Sequence, residues 1–215
     1  MKQNRAFAAG MVAIASAAYG DTVTARFTAD YSRTIDITYV GDREESQRTV
    51  LFRWTRQDSP GPGVDSTLPV HFTGYCVELA QSVSANTNHV YQVLTPAEAG
   101  YNPVQALLLS RLWATYLPGV DTDNESGAFQ MAVWELTFDG GVIDLSAGNF
   151  QGHGPSAVRN LASAWLSDIS SVGYAGGTAP LRILHNDRVQ DMLVPTPGSL
   201  ALLGLGGALM RRRKR

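Results

Sequence analysis

A chain of 215 residues with a formal net charge of −2 and 17% charged residues offers no basic field for nucleic acid and no acidic tract. Its one cysteine, Cys76, excludes an internal disulfide framework and a cysteine-built zinc site. No residue pattern calls for a cofactor or a metal.

The opening Met1-Lys2-Gln3-Asn4-Arg5 is cationic, and residues 6–18 are almost wholly apolar or small, the pattern of a secretory signal peptide read by the Sec machinery. The small residues Ala15, Ala17, Ala18 and Gly20 leave two cleavage registers, so 1–20 is assigned to the signal and 21–193 to the mature domain. Alternation through Val23, Ala25, Phe27 and Ala29, then Ile35, Ile37 and Tyr39, predicts strands within 22–39. Further strands are predicted at 49–55, 70–79 and 90–94, with a Pro/Gly loop at 57–67.

Next the period changes. Asn102-Pro103 reads as an N-cap with proline at the first helical position. Val104, Leu107, Leu108, Leu112, Trp113 and Tyr116 follow at helical spacing until Pro118-Gly119. Apolar on most of its circumference, this helix is expected to be buried on more than one side. A second helix is predicted to start near Glu125 or Ser126, carry Phe129, Ala132, Val133 and Leu136 on one stripe, and stop before Asp139-Gly140-Gly141. A third starts at about Pro155-Ser156, with Val158, Leu161, Ala162, Trp165 and Ile169 on its apolar face. Strands resume at 181–184 and 189–193. The order strands, helices, strands predicts an α+β domain: antiparallel β-structure, sandwich or barrel-like, with a packed or inserted three-helix segment.

Residues 194–215 form a tail. Val194-Pro195-Thr196-Pro197-Gly198 precedes an apolar stretch at 200–210 and five successive cations, Arg211-Arg212-Arg213-Lys214-Arg215. The stretch is short against the ~20 residues of a stable span, so it reads as a sorting element with its cations on the cytoplasmic side. It resembles the PEP-CTERM tails of Gram-negative bacteria, with Val194, Pro195, Pro197 and Gly198 as the motif and Thr196 in place of the usual glutamate. The resemblance implies export, transient membrane anchoring and an exosortase-like processing enzyme.

Cys76 lies in Phe72-Thr73-Gly74-Tyr75-Cys76-Val77-Glu78-Leu79, a strand-like run. Gln130 is expected within the first turn or two of the second helix, sharing a face with Val133, Trp134 and Thr137. A buried carboxamide needs hydrogen bonds, at a cost of about 1–3 kcal/mol without them. Together Tyr75-Cys76-Val77-Glu78 and Gln130-Met131-Ala132-Val133-Trp134 resemble the Cys–Gln thioester domains of bacterial surface adhesins, with Phe129 where that family often has threonine. The resemblance implies that Cys76 supplies the thioester sulfur and Gln130 the acyl carbon. Tyr75, Phe129 and Trp134 then shield the bond from water, and N–H groups at the start of the second helix are expected to stabilise the oxyanion. The implied partner is an amine on a surface protein, a polysaccharide or a polyamine. Such a protein is a single-use crosslinker and not an enzyme.

Three other readings compete. A cysteine hydrolase would pair Cys76 with His71, His89, His153 or His185, but no hydrolase signature surrounds the cysteine; His153, in a glycine-rich run, is the one that hints at a site. Asp121, Asp123, Asn124 and Glu125 lack the spacing of a calcium loop and suit the capping of the second helix. A surface or biofilm-matrix protein without any thioester shares every address feature with the covalent reading.

Overall fold

The computed structural model describes residues 21–39, 43–59, 61–65 and 67–196. The signal peptide expected at 1–20, and Pro197, Gly198 and the rest of the expected sorting tail, lie outside the described residues. The elements in order are β1 (Thr22–Tyr39), β2 (Arg43–Arg56), β3 (His71–Cys76), β4 (His89–Leu94), α1 (Pro103–Tyr116), α2 (Asp123–Phe138), β5 (Phe150–Gly152), α3 (Ser156–Ser170), β6 (Leu181–His185) and β7 (Met192–Pro195).

All strand pairings between these elements are antiparallel. The order β2-β3-β7-β6-β4-β1 is closed by the β1–β2 hairpin into a six-stranded barrel, and β5 adds to the far half of β1. This is the α+β, barrel-like class expected from the sequence, closed where β2 pairs with both β1 and β3 and open where β2 runs past Phe52 paired with β1 alone. β1 is one strand across both predicted runs, with a register irregularity between Ala29 and Ser32.

Residues directly opposite across a ladder share a face. Phe27 stands opposite Trp54, Trp54 opposite Phe72, Phe52 opposite Gly74, Cys76 opposite Met192 and Val23 opposite Tyr91. These residues face into the barrel. Trp54 is its hub, 5.1 Å from Phe27, stacked 6.2 Å from Phe72 and edge-on to Tyr91 at 5.6 Å between ring centroids. Gly74 is required by this packing: a Cβ there would lie 3.1 Å from both Trp54 Nε1 and Val194 Cγ1.

On the outer face of β3, Tyr75 meets Phe129 of α2 and Trp113 of α1 at 4.6 and 6.4 Å. That part of the sheet is therefore covered on both sides, which is why all four residues of β7 are buried. Val194 and Pro195 accordingly belong to the sheet, opposite Arg182 and Leu181, so the strand runs two residues past the boundary drawn at 193/194. Proline is tolerated at this position because it ends the strand. Thr196 N–H then donates to Pro180 O at 3.0 Å.

The helices start as their caps dictate. Asn102 accepts from Val104 N and Gln105 N, and Gln105 returns the capping box. α2 begins at Asp123, earlier than expected, because Thr122 and Glu125 form the capping box. The expected burial of the helices is redistributed. α1 exposes Val104 (54%) and Leu107 (43%), whereas every residue of α2 from 126 to 136 is buried. α2 is the enclosed helix because it lies between α1, α3 and strands of the barrel. Small residues Ser126, Gly127, Ala128 and Ala132 admit this close packing; a Cβ on Gly127 would sit 3.2 Å from Arg33 Cβ.

Candidate functional site

The β2–β3 ladder ends at Phe52 opposite Gly74. Two residues on, Cys76 closes β3, and on its other side Val77 N–H bonds to Asp191 O at 3.1 Å. By the alternation of an antiparallel strand, the N–H and C=O of Cys76 point away from β7, toward the gap that β2 has left. Gln130 of α2 fills that gap. Its Oε1 accepts from Cys76 N at 3.0 Å, and its Nε2 donates to Cys76 O at 2.7 Å. The carboxamide acts as a strand residue would, and its carbon, one bond from both contacting atoms, is held against the residue that carries the thiol.

A second contact fixes the register. Ser126, one turn before Gln130, accepts from Tyr75 Oη at 3.3 Å and donates to Tyr31 O at 3.2 Å. Adjacent residues of β3 thus meet the i and i+4 positions of one helix face. Gln130 lies about two turns into α2, at the inner limit of the span expected from the sequence. The donor on its oxygen is Cys76 N–H, and the N-terminal N–H groups of α2 go elsewhere: Glu125 N–H, for one, donates to Thr122 Oγ1.

Cys76 makes no disulfide and is 5% exposed. Burial pushes its thiol well above the usual range, and the nearby Glu78 charge adds to the effect. The three residues expected to shield the bond are all buried, Tyr75 and Phe129 fully and Trp134 at 2% exposure. Tyr75 and Phe129 pack on each other beside Cys76, joined by Trp113. Trp134 instead packs on Phe150 of β5 at 6.0 Å.

Beyond Cys76 the chain enters a polar cluster that sequence reasoning did not single out as a site. Glu78 Oε1 accepts from Asp191 N at 2.9 Å, and Asp191 Oδ2 lies 2.7 Å from His185 Nδ1. Desolvation raises the Glu78 carboxyl above its ordinary value, while Asp191 raises the His185 imidazole. Tyr91, buried on the inner face of β4, is held neutral by burial, with the nearby Asp191 and Glu78 carboxylates adding to the effect. His185 and the acid two positions after Cys76 were the sequence signals for this cluster; Asp191, just before β7, and Tyr91, on β4, are brought to it from distant parts of the chain.

None of the four histidines hydrogen-bonds to Cys76. His71 meets Thr55 Oγ1, His89 meets Ser84 O, His153 meets Thr38 Oγ1 and His185 meets the aspartates. The glycines around His153 serve packing: a Cβ on Gly152 would come within 2.6 Å of Met131 Sδ. Among Asp121, Asp123, Asn124 and Glu125, Glu125 caps α2 and Asp123 accepts from Ser32 N at the β1 irregularity. Among the described residues no group of three or more His, Cys, Asp or Glu side chains could hold a metal ion, and no helix is long and apolar enough to cross a membrane. No protein-family model, curated protein or solved structure matches the chain.

Proposed function

We propose that this is an exported cell-surface or extracellular-matrix protein in which Cys76 and Gln130 form an intramolecular thioester for covalent attachment to amine-bearing targets. The observation that carries the reading is the pair of hydrogen bonds between the Gln130 carboxamide and the Cys76 backbone. They put the acyl carbon beside the one cysteine of the chain and orient it. The N–H bonded to Oε1 polarises the carbonyl and is in place for the oxyanion that thiol attack creates. The Cys76 sulfur forms a bond to the acyl carbon, the carbon–nitrogen bond breaks, and the nitrogen leaves as ammonia with the thiol proton.

The apolar enclosure by Tyr75, Phe129 and Trp113 limits hydrolysis of the product. A lysine ε-amine of a surface protein, an amine on a polysaccharide, or a polyamine takes the acyl group and frees Cys76. The protein is consumed in the act, so it is an adhesin or matrix crosslinker and not an enzyme. Export by the Sec machinery, anchoring by the C-terminal tail and release by an exosortase-like enzyme complete the proposal.

One observation favours a noncovalent surface protein. Gln130 already satisfies two backbone groups that β2 leaves bare, which is a sufficient structural reason for a buried carboxamide. Intact mass of the mature domain separates the two, with Cys76→Ala and Gln130→Ala alongside and a methylamine treatment. The thioester reading expects the wild type alone to be lighter than its sequence by one ammonia and to gain methylamine at Gln130. A full sequence mass with an alkylatable thiol, in protein never exposed to amines, leaves the noncovalent reading.

A further inference from the structure

Past Phe52, β2 has a neighbour on one side only. β3 pairs with it at 52–55, so residues 43–51 have β1 on one side and no described strand on the other. Which residues present main-chain groups to that bare edge follows from register. Asp36 stands opposite Ser46, and Asp36 O accepts from His153 N and Gly154 N at 2.8 and 3.1 Å, on the side of β1 away from β2. The N–H and C=O of a strand residue point to the same side, and directly opposite residues of an antiparallel pair point either toward each other or apart. Ser46 therefore turns its N–H and C=O away from β1, and so do Glu44 and Arg48, two positions to either side. Ser46 and Arg48 are exposed. Arg48 donates to Ser32 Oγ at 3.0 Å and has no carboxylate partner among the described residues.

A bare edge is a template for another strand, and charges along an edge commonly guard it. Here the charges are self-complementary in one register. In an antiparallel pairing of two copies, centring on Glu44 or Glu45 sets glutamate against glutamate, and centring on Arg43 or Arg48 sets arginine against arginine. Centring on Gln47 leaves every charge unpaired. Only Ser46 as the centre sets each Glu44 opposite the partner's Arg48, with no like charges facing. Opposite charges across a ladder stabilise it and like charges destabilise it, so the edge favours this register and rejects its neighbours. We propose that β2 is a homodimer interface in which two copies pair antiparallel about a two-fold axis at Ser46, extending the β5-β1-β2 sheet from one copy into the other. The N–H and C=O of Glu44, Ser46 and Arg48 then all find partners, and the same patch serves both copies, as a two-fold requires. A strand pair is a small interface, so the dimer is weak and forms where the protein is concentrated. The pairing stands whether or not Cys76 and Gln130 join; with a thioester in each copy, one dimer bridges two targets.

The test traps the register with cysteine, in a Cys76→Ala background that keeps the thioester out of the measurement. Ser46→Cys puts two thiols at the two-fold, where facing Cα atoms of a hydrogen-bonded pair lie about 5.5 Å apart, within disulfide reach. Gln47→Cys is the control, because across the new ladder it faces the partner's Glu45. Linked dimer is followed by intact mass under mild oxidation, each rate scaled by the same thiol's reaction with oxidised glutathione. The pairing predicts linkage at least about tenfold faster from Ser46→Cys than from Gln47→Cys. Adding Arg48→Glu should slow it at least about tenfold by opposing like charges, and adding Glu44→Arg to that variant should restore it. Equal linkage at the two positions, a rate untouched by Arg48→Glu, or a loss that the charge exchange does not restore overturns the pairing and leaves an edge guarded by its charges. Should Arg48→Glu not fold, Glu44→Arg alone opposes two arginines instead: slower linkage supports the pairing and an unchanged rate overturns it.

Discussion

Inside the barrel, Phe27, Phe52, Trp54 and Phe72 bury ring faces against one another, whereas under α2 the buried side chains Ser126, Gln130 and Glu135 each hold a backbone group. The first region is held by apolar area and close packing, and any residue of the right shape serves it. The second is held by chemical matching at places where regular ladders stop: Tyr31 at the β1 irregularity, Cys76 past the end of β2, and Asp144 in the loop after α2. Gln105 of α1 does the same for the last carbonyls of α2, donating to Leu136 O and Thr137 O at 3.0 Å each. The comparison teaches that polar residues enter this core where backbone groups would otherwise be stranded.

The largest effect that would sharpen this contrast is expected from Trp54→Ala. It empties the hub of the barrel and should cost about 3–5 kcal/mol in urea unfolding, with no selective effect on the α2 seam. A loss below about 1 kcal/mol would mean that the barrel core collapses freely and is not close-packed.

Next is Gln130→Ala, measured in a Cys76→Ala background so that no covalent bond is at stake. It strands two buried backbone groups, and the expected loss is about 2–4 kcal/mol. A negligible change would break the comparison, because it would show that the seam tolerates unpaired groups.

The smallest effect comes from Glu135. Burial raises its carboxyl to about 7 from an ordinary 4.5, aided by Asp139 and Asp144 and opposed by the Asp144 N–H it accepts. The folded state therefore holds a proton that the unfolded state releases. Stability from this group is fully present below pH 4.5 and is lost as pH rises through 7. Glu135→Gln should remove that loss, gaining on the order of 1–3 kcal/mol at neutral pH while leaving stability at pH 4 nearly unchanged. Equal pH dependence of melting in both proteins would refute the assignment.

Much of this architecture was legible in the sequence because local chemistry encodes it. Asn102-Pro103 starts α1 and Asp139-Gly140-Gly141 follows the end of α2, each through a cap or a helix-breaking residue, whereas the start of α2 was read two or three residues late because the Thr122–Glu125 capping box went unread. Strand alternation located β1, β2 and β4 because each has one face in the barrel and one outside. β5 was missed, being three residues long and too short for a period. The end of β7 was taken for a linker because Pro195 reads as a breaker, although a proline at the last strand position has no ladder bond to lose there. For the candidate site, Cys76 and Gln130 stood out through their neighbours, Tyr75 and Trp134, and by resemblance.

The sequence by itself determined where helices start and stop, which segments alternate as strands, and that a lone cysteine must be explained. Those properties depend on residues within a few positions of one another. Only the tertiary structure decided that α2 and not α1 is the enclosed helix, that Gln130 bonds to the backbone of Cys76, and that Tyr91, Glu78, Asp191 and His185 gather at one end of the barrel. Each of these depends on barrel closure and strand register, which join residues far apart in the chain, and no local pattern of residues records which strand lies next to which.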